Sequence, residues 1–256
     1  MRDRNRYKFR LPALSLIAGV VIVLAVFGAW SLRPQEVMQQ ALRALDGDQE
    51  VEVREEKLGG VETFVFWPKN DRRQPALIFY PGARVPAEAY SPHLLEIARQ
   101  GFTVYLVKMP LNFALLGWGR AGKVISARPE QDCWVLGGHS LGGAMAARFV
   151  DRTDFAVYGL VLWASYPEEG LDLDKNRISV LSLIGTRDSI IDEGKVTRAR
   201  EQLPEKAEFV NIEGGNHSQF GWYGFQQGDG QAAIERDEQV EIIVSETTDF
   251  LYDLCS

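Results

Sequence analysis

Unbroken apolar stretches mark most of the chain after residue 75. Strands that are covered on both faces have this pattern, whereas half-exposed strands alternate between apolar and polar positions. Such stretches lie at residues 76–80, 102–107, 133–136, 155–163, 178–184 and 207–212. Between and after them, apolar residues recur at helical spacing in segments 88–100, 118–127, 141–152 and 238–254. Strands that alternate with helices predict an α/β fold with a mostly parallel sheet and right-handed crossovers.

An alternating pattern precedes these stretches. Residues 50–55 and 61–67 carry apolar side chains mainly at every second position, and Gly59 and Gly60 lie between the two segments. The pattern predicts a two-stranded hairpin. Residues 68–75 begin and end with proline and predict an exposed loop.

The N-terminal region is apolar over a much longer distance. Residues 11–32 include no charged side chain, and 22 residues in a helix can cross the roughly 30 Å hydrocarbon core of a membrane. The first ten residues hold five basic side chains, whereas Arg33 stands alone after the segment, so we expect a cytoplasmic N-terminus. A cleaved signal peptide is the competing interpretation, but its apolar region is usually shorter, roughly 7 to 15 residues.

These patterns predict four regions. They are a basic cytoplasmic tail at 1–10, a single-pass anchor in the cell membrane at 11–32, a polar and partly helical connector at 33–49, and an extracytoplasmic α/β domain at 50–256. The oligomeric state does not follow from the sequence.

Composition and charge exclude some classes of function. The chain is 46% hydrophobic and 25% charged, as in an ordinary globular protein. Its net charge is −7, and because the first ten residues carry +4, the remainder carries −11. An acidic body argues against nucleic-acid binding. Cys133 and Cys255 are far apart and lack metal-ligand spacing, so we expect two unpaired thiols, with a disulfide as the alternative, and no metal site.

The clearest chemical motif is Gly-His-Ser-Leu-Gly at residues 138–142. A predicted strand precedes it and a predicted helix follows it. This is the context of a G-x-S-x-G nucleophile elbow, in which a sharp turn presents the serine hydroxyl above the sheet. Ser140 is therefore the candidate nucleophile, and an ordinary glycine-rich turn is the alternative.

A serine hydroxyl needs a base, and the chain has three histidines. His139 is adjacent to Ser140, so its ring cannot readily turn back to the hydroxyl, and His93 begins a predicted helix. His217 follows the last predicted strand, at the edge where ligands bind in parallel sheets. We therefore expect His217 to be the base.

The base in turn needs an orienting acid. Asp188 follows the strand predicted at 178–184 by a short turn, which places it at the same sheet edge as His217. Asp192 is the alternative. The resulting order of serine, aspartate and histidine is typical of hydrolases with a nucleophile elbow.

Two backbone N–H groups should stabilise charge on a substrate carbonyl oxygen. One is expected from Leu141, directly after the serine. The other is expected from the loop after residues 76–80, where Pro81 has no N–H group, so that Ala83 is the candidate and Arg84 the alternative.

Together these motifs resemble the α/β-hydrolase fold superfamily, and within it the compact, lidless group related to dienelactone hydrolases (the family 5 type of α/β hydrolase). The resemblance covers about residues 75–254 and implies an eight-stranded sheet, a serine nucleophile, no cofactor and no metal. Four motifs carry it in order: Tyr80-Pro81-Gly82-Ala83, Gly138-His139-Ser140-Leu141-Gly142-Gly143, Gly185-Thr186-Arg187-Asp188 and Gly214-Gly215-Asn216-His217.

The chain departs from this group in two places. Pro81-Gly82 stands where many members have His-Gly, which puts the second oxyanion donor in doubt. Ser140 stands where dienelactone hydrolases have cysteine, so specificity for lactones does not follow from the resemblance.

The loops predict an open site. Only about 14 residues separate 163 from 178, where related folds insert a lid, and this is too short for a cap domain. Residues 221–230 contain four glycines and predict a flexible loop that either gates the site or lies over the surface. Aromatic residues near this edge are candidates for an acyl pocket, with simple packing as the alternative: Phe113, Trp118, Tyr166, Phe220, Trp222 and Tyr223.

These observations predict a membrane-anchored serine hydrolase that cleaves carboxylic esters with smaller or surface-presented acyl groups. An acyltransferase or a peptidase with the same three residues is the alternative among enzymes. The alternative outside enzymes is a catalytically silent binding module displayed on the membrane.

Overall fold

The computed structural model describes residues 33–173, 178–200 and 202–255, together with Ser15, Ala18, Gly19, Val23 and Gly28. The predicted basic tail and most of the predicted membrane anchor lie outside these residues. Among the residues that are described, no helix has the length and apolar character needed to cross a membrane. The chain divides into a unit of residues 1–34 and a unit of residues 35–256, and the fold described below is that of the second unit.

An eight-stranded sheet forms the centre of this unit, in the order β1-β2-β4-β3-β5-β6-β7-β8. The strands β1 and β2 form the expected antiparallel hairpin, β2 is antiparallel to β4, and the other pairs are parallel. The predicted mostly parallel α/β sheet is thus confirmed. The strands are β1 Val51–Leu58, β2 Val61–Pro68, β3 Arg73–Tyr80, β4 Phe102–Val107, β5 Trp134–His139, β6 Gly159–Trp163, β7 Ser179–Gly185 and β8 Glu208–Ile212.

Helices cover both faces of the sheet. They are α1 Gln39–Ala44, α2 Ser91–Arg99, α3 Arg120–Ser126, α4 Leu141–Arg152, α5 Glu193–Arg200 and α6 Arg236–Tyr252. Apolar side chains of α1, α2 and α6 form a core on one face, and those of α3 and α4 form a second core on the other. Short 3₁₀ turns occur at Ala87–Tyr90, Pro110–Asn112, Ala114–Leu116 and Ser218–Phe220.

Strand β6 is shorter than the sequence predicts. It begins at Gly159, which is paired with Val135 near the start of β5, so residues 155–157 extend beyond the start of the neighbouring strand. Phe155 and Tyr158 remain exposed there. The prediction of a strand from residue 155 was therefore wrong, because an apolar side chain without a paired neighbour does not extend a sheet.

From Gln35 onward, the predicted connector at 33–49 belongs to the body of the chain and is not a separate linker. Val37 forms a β-bridge with Tyr223, the Met38 N–H donates to the Trp222 carbonyl at 3.0 Å, and Ala41 in α1 is fully buried. Apolar side chains at these few positions are enough to fix the segment.

Cys133 and Cys255 form a disulfide, with their Cα atoms 6.5 Å apart. The prediction of two unpaired thiols was therefore wrong. After α6 the chain passes the start of β6, where Leu254 lies against Gly159, and this path brings Cys255 beside the residue that precedes β5. A sequence separation of 122 residues hides the contact from any local reading.

Candidate active site

Ser140 lies at the carboxyl end of β5, next to the point where the order of the strands reverses along the sheet. The chain leaves β3 toward β4 on one side and later returns to place β5 on the other side. Loops at the carboxyl ends of β3 and β5 therefore diverge and leave a crevice, which is where parallel α/β sheets bind ligands.

Ser140 occupies the turn between β5 and α4 with φ at 52° and ψ at −125°, in a region that L-residues rarely adopt. Its N–H donates to the Trp163 carbonyl at 2.9 Å, which fixes the turn to β6. The turn also requires glycine on both sides. A Cβ atom at Gly138 would overlap Gly142, and one at Gly142 would overlap the carbonyl oxygens of Tyr80 and Pro81. The predicted elbow geometry is present.

The side chain of Ser140 lines a cavity of about 280 Å³. His217 lines the same cavity, from the loop after β8. The other lining residues are Leu141, Ala144, Ala164, Ser165, Tyr166, Glu168, Ile190 and Ile191. Most of this surface is apolar, so the cavity can hold a small acyl group beside the serine hydroxyl.

Asp188 orients His217. Its Oδ2 atom is 2.7 Å from Nδ1 of the histidine, and both side chains are almost completely buried. Its Oδ1 atom accepts the N–H groups of Ile190 at 2.8 Å and Ile191 at 3.1 Å. The carboxylate fixes the proton on Nδ1, which leaves Nε2 of His217 to accept a proton. The structure thus brings Ser140, His217 and Asp188 together at one edge, as the sequence places them.

The hydrogen bonds of the described residues include none between Ser140 Oγ and His217. Catalytic hydrogen bonds are in general often long without substrate and shorten in the complex, so this geometry does not rule out the pair. The alternative acid, Asp192, does not face the histidine. Its Oδ1 atom accepts the Lys195 N–H at 3.0 Å at the start of α5.

Asp229 holds the loop of the base in place, and the sequence reasoning missed it. Its Oδ2 atom accepts Ser218 Oγ at 2.6 Å and the Ser218 N–H at 2.8 Å, while Oδ1 accepts the Gly230 N–H at 2.8 Å. Oδ1 also accepts the Ser189 N–H at 3.3 Å, next to Asp188. Asp229 therefore connects the loop of the acid to the loop of the base.

The glycine-rich segment 221–230 is not a free loop. Tyr223 in it is fully buried, the Trp222 N–H donates to the Ala89 carbonyl at 2.6 Å, and Gly230 packs against the Arg187 carbonyl with no room for a Cβ atom. These contacts overturn the prediction of a flexible loop over the site. At least Gly230 is needed because the backbone of Arg187 leaves no room for a side chain there.

His139 forms the wall behind the base. Its ring is fully buried, with its centre 4.5 Å from that of His217 and 5.7 Å from that of Phe220. Burial lowers the pKa of His139 well below its usual value, and a charge on His217 would lower it further. The ring is therefore neutral.

Tyr90 links this wall to the loop after β3. Its hydroxyl is 2.8 Å from Nδ1 of His139 and accepts the Gly82 N–H at 2.9 Å. Burial raises the pKa of Tyr90, so the hydroxyl stays protonated. It donates a hydrogen bond to the unprotonated Nδ1 of His139. This bridge fixes the position of the loop relative to the elbow.

The same loop carries the second predicted oxyanion donor. The Gly82 N–H is bonded to Tyr90, and the Arg84 N–H donates to the Asn112 carbonyl at 2.7 Å. Pro81 has no N–H group. Within the described residues, no hydrogen bond uses the N–H of Ala83 or that of Leu141, so these two donors remain free for an oxyanion. Arg84, the sequence-based alternative, is already bonded through its N–H group.

Tyr166 lines the Ser140 cavity, whereas the other five aromatic residues predicted to bind substrate do not. Phe220 and Tyr223 are fully buried behind His139, because the chain turns inward immediately after His217. Trp222 lines a separate groove of about 570 Å³ between α2 and α6. Trp118 packs against the core on the face that α3 and α4 cover, and its carbonyl accepts the Tyr80 hydroxyl at 2.7 Å. The prediction of these five residues as an acyl pocket was wrong.

The apolar lining comes instead from residues close to the functional ones in sequence. Ile190 and Ile191 lie two and three residues after Asp188, and Leu141 and Ala144 are in the first turn of α4. Two isoleucines after Asp188 were the available signal. Among the described side chains, no group of three or more His, Cys, Asp or Glu residues is arranged to hold a metal ion.

Residues 76–241 match the model of the alpha/beta hydrolase family, and they make up more than half of the chain. No curated protein matches the sequence closely enough to indicate a relative.

Three solved structures share the fold at low sequence identity. A predicted CIB-like hydrolase from Thermoplasma acidophilum is 18% identical with a TM-score of 0.60, over 80% of this chain and all of the other. A dienelactone hydrolase from Anabaena variabilis is 14% identical with a TM-score of 0.57, over 79% of this chain and all of the other. Esterase 2 of Thermogutta terrifontis is 15% identical with a TM-score of 0.57, over 81% and 96% of the two chains.

Proposed function

Since this chain belongs to the alpha/beta hydrolase family, we propose that it is a serine hydrolase that cleaves carboxylic esters. The observation that carries the proposal is the buried pair of Asp188 and His217, because its histidine lines the same cavity as the strained Ser140. A packing role gives no reason to combine a strained serine, a buried acid and a histidine with a free Nε2 atom at one crevice.

The proposed reaction has two halves. Ser140 Oγ attacks the ester carbonyl and gives its proton to Nε2 of His217, while the N–H groups of Leu141 and Ala83 bind the oxyanion. The C–O bond to the alcohol then breaks, and His217 protonates the departing alkoxide. Water attacks the acyl-enzyme in the second half and gives a proton to His217. The carboxylic acid leaves as the proton returns to Ser140.

Hydrolysis of p-nitrophenyl esters with two to twelve acyl carbons tests this proposal, with the full chain in mild detergent. The cavity of about 280 Å³ is small and mostly apolar, so we expect the fastest turnover on short acyl chains. Ser140→Ala should lower kcat by about 10⁴-fold or more because the nucleophile is lost. A chain that reacts with a fluorophosphonate at Ser140 but hydrolyses no ester would instead favour peptide cleavage or acyl transfer.

We also propose that residues 11–32 anchor the enzyme in the cell membrane and that the body lies on the extracytoplasmic side. The uncharged segment and the basic tail before it support this topology. The disulfide between Cys133 and Cys255 supports it independently, because structural disulfides persist in oxidising compartments. Protease added to intact cells should degrade the body, whereas a body that becomes accessible only after lysis would contradict the topology.

A further inference from the structure

An exposed leucine cluster lies at the same end of the sheet as Ser140, because β4 and β5 are both parallel to β3 and end on that side. Leu111, Leu115 and Leu116 in the loop after β4 are 64%, 43% and 58% exposed. Scattered surface leucines need no explanation, but three exposed leucines within six residues concentrate apolar surface in one loop, and concentrated apolar surface often marks a binding site. Leu111 and its neighbour Asn112 also have positive φ angles of 52° and 53°, so the loop holds an unfavourable backbone while presenting these side chains to solvent.

The leucine cluster is tied to the loop that carries the predicted oxyanion donor. The N–H of Arg84 donates to the carbonyl of Asn112 at 2.7 Å, and Arg84 follows Ala83 directly. The carbonyl of Arg84 accepts the N–H of Gln35 at 2.8 Å. Two successive hydrogen bonds therefore connect the leucine loop, the oxyanion loop and the point where the body of the chain begins.

The short stretch of chain before Gln35 limits how far the oxyanion loop can lie from the predicted membrane segment. The predicted membrane segment ends at Leu32, so only Arg33 and Pro34 separate it from Gln35. Three steps between Cα atoms extend at most about 11 Å. A headgroup region is several ångströms thick on each side of the hydrocarbon core, so an anchored chain keeps Gln35 within or just above the headgroups.

We propose that the leucine cluster inserts into the bilayer surface and holds the mouth of the Ser140 cavity against the headgroups. The substrate is then an amphipathic ester that stays in the bilayer through its long-chain alcohol portion while its short acyl group enters the cavity. The proposal rests on the proposed ester chemistry and anchor, and it adds where the substrate comes from.

A first experiment measures the environment of the cluster without using activity. The two cysteines of the chain are paired, so Leu115→Cys adds a single thiol for an environment-sensitive nitrobenzoxadiazole dye. In phosphatidylcholine vesicles that contain the full chain, we expect a blue-shifted emission that lipid-bound nitroxides quench. Tyr158→Cys is the matched control, because Tyr158 is also exposed but precedes β6 at the opposite edge of the sheet. A dye at residue 115 that remains as water-exposed as one at residue 158 would overturn the proposal.

A second experiment compares two acetate esters in the same vesicles. Octadecyl acetate resides in the bilayer and ethyl acetate dissolves in water, yet both present the same acyl group. Replacement of the cluster by Leu111→Asn, Leu115→Gln and Leu116→Gln should lower acetate release from octadecyl acetate at least tenfold and leave that from ethyl acetate within about twofold. Phe155→Ser with Tyr158→Ser is the control and should change neither rate.

The outcomes separate the two proposals. Equal rates on octadecyl acetate with and without the leucines would contradict bilayer docking while leaving the esterase intact. A parent chain that hydrolyses neither ester but buries the dye at residue 115 would contradict the ester chemistry and retain the docking surface.

Discussion

Tyr90 is the residue that joins the two halves of the candidate site. Its hydroxyl bridges the Gly82 N–H and Nδ1 of His139, and so connects the loop of one predicted oxyanion donor to the elbow. Oxyanion stabilisation depends on donors held in place before the reaction begins, since displacement of a donor by a fraction of an ångström weakens it. From the sequence, His139 was predicted only to be too close to Ser140 to act as its base. The structure gives it a second role as a neutral acceptor for Tyr90.

Tyr90→Phe should lower kcat by roughly tenfold and change KM by less than about twofold, because the loop of Ala83 loses its link to the elbow. Steady-state kinetics on p-nitrophenyl acetate measures both constants.

Tyr80→Phe is the matched control for this variant. Its hydroxyl is equally buried and also makes two hydrogen bonds, to the Trp118 carbonyl and from the Ala121 N–H at 2.7 Å each, but on the opposite side of the strand. Both variants should lower the free energy of unfolding by about 1–3 kcal/mol, and only Tyr90→Phe should lower kcat. Equal losses of kcat would mean that Tyr90 matters for stability alone.

At the scale of elements, the sequence predicts most of this fold because helices and buried strands carry strong local patterns. Strand β4 at Phe102–Val107 and helix α4 at Leu141–Arg152 have the predicted bounds. Helix α5 at Glu193–Arg200 was missed because it is mostly polar and includes Gly194, so it shows no apolar stripe. Helical propensity without such a stripe is a weak signal.

The segment after His217 was misread for a different reason. Its aromatic and glycine residues fit either an open substrate loop or a buried turn, and only packing against His139 decides between them. Asp229 stabilises the buried alternative through bonds to Ser218 and Gly230, which a sequence pattern cannot reveal.

Asp229→Asn should lower the free energy of unfolding by about 1–3 kcal/mol and lower kcat together, because the charged acceptor shared by both loops is lost. Thermal unfolding and ester kinetics measure the two effects. Asp192→Asn is the control, since asparagine at the start of α5 caps the helix as well as aspartate does. A stability of Asp229→Asn equal to that of the parent would contradict the proposed link between the loops.

At the scale of the whole molecule, long-range contacts limit what the sequence can predict. The positions of Ser140, Asp188 and His217 at one sheet edge follow from topology, since parallel strands end their loops together. Their catalytic roles stay predictions. The disulfide, the docked segment after Gln35 and the true lining of the cavity depend on residues that are distant in sequence, so local patterns do not contain them.

Cys255→Ser should reduce the free energy of unfolding by about 2–5 kcal/mol, since the bond closes a loop of 122 residues in the unfolded chain. Activity at 25 °C should not change, because the bond lies before β5, at the end of the strand opposite Ser140. Guanidinium unfolding of the variant and of the parent with a reductant should give the same midpoint. A parent whose midpoint is unaffected by reductant would contradict a stabilising disulfide.

The central claim is that Ser140 becomes acylated with His217 as its base. Mass spectrometry of the acid-quenched chain after brief exposure to p-nitrophenyl acetate tests this most directly. The account predicts an added acetyl group on the peptide that contains Ser140, and almost none after His217→Ala. An acetyl group on another residue, or equal acetylation of Ser140 without His217, would contradict it.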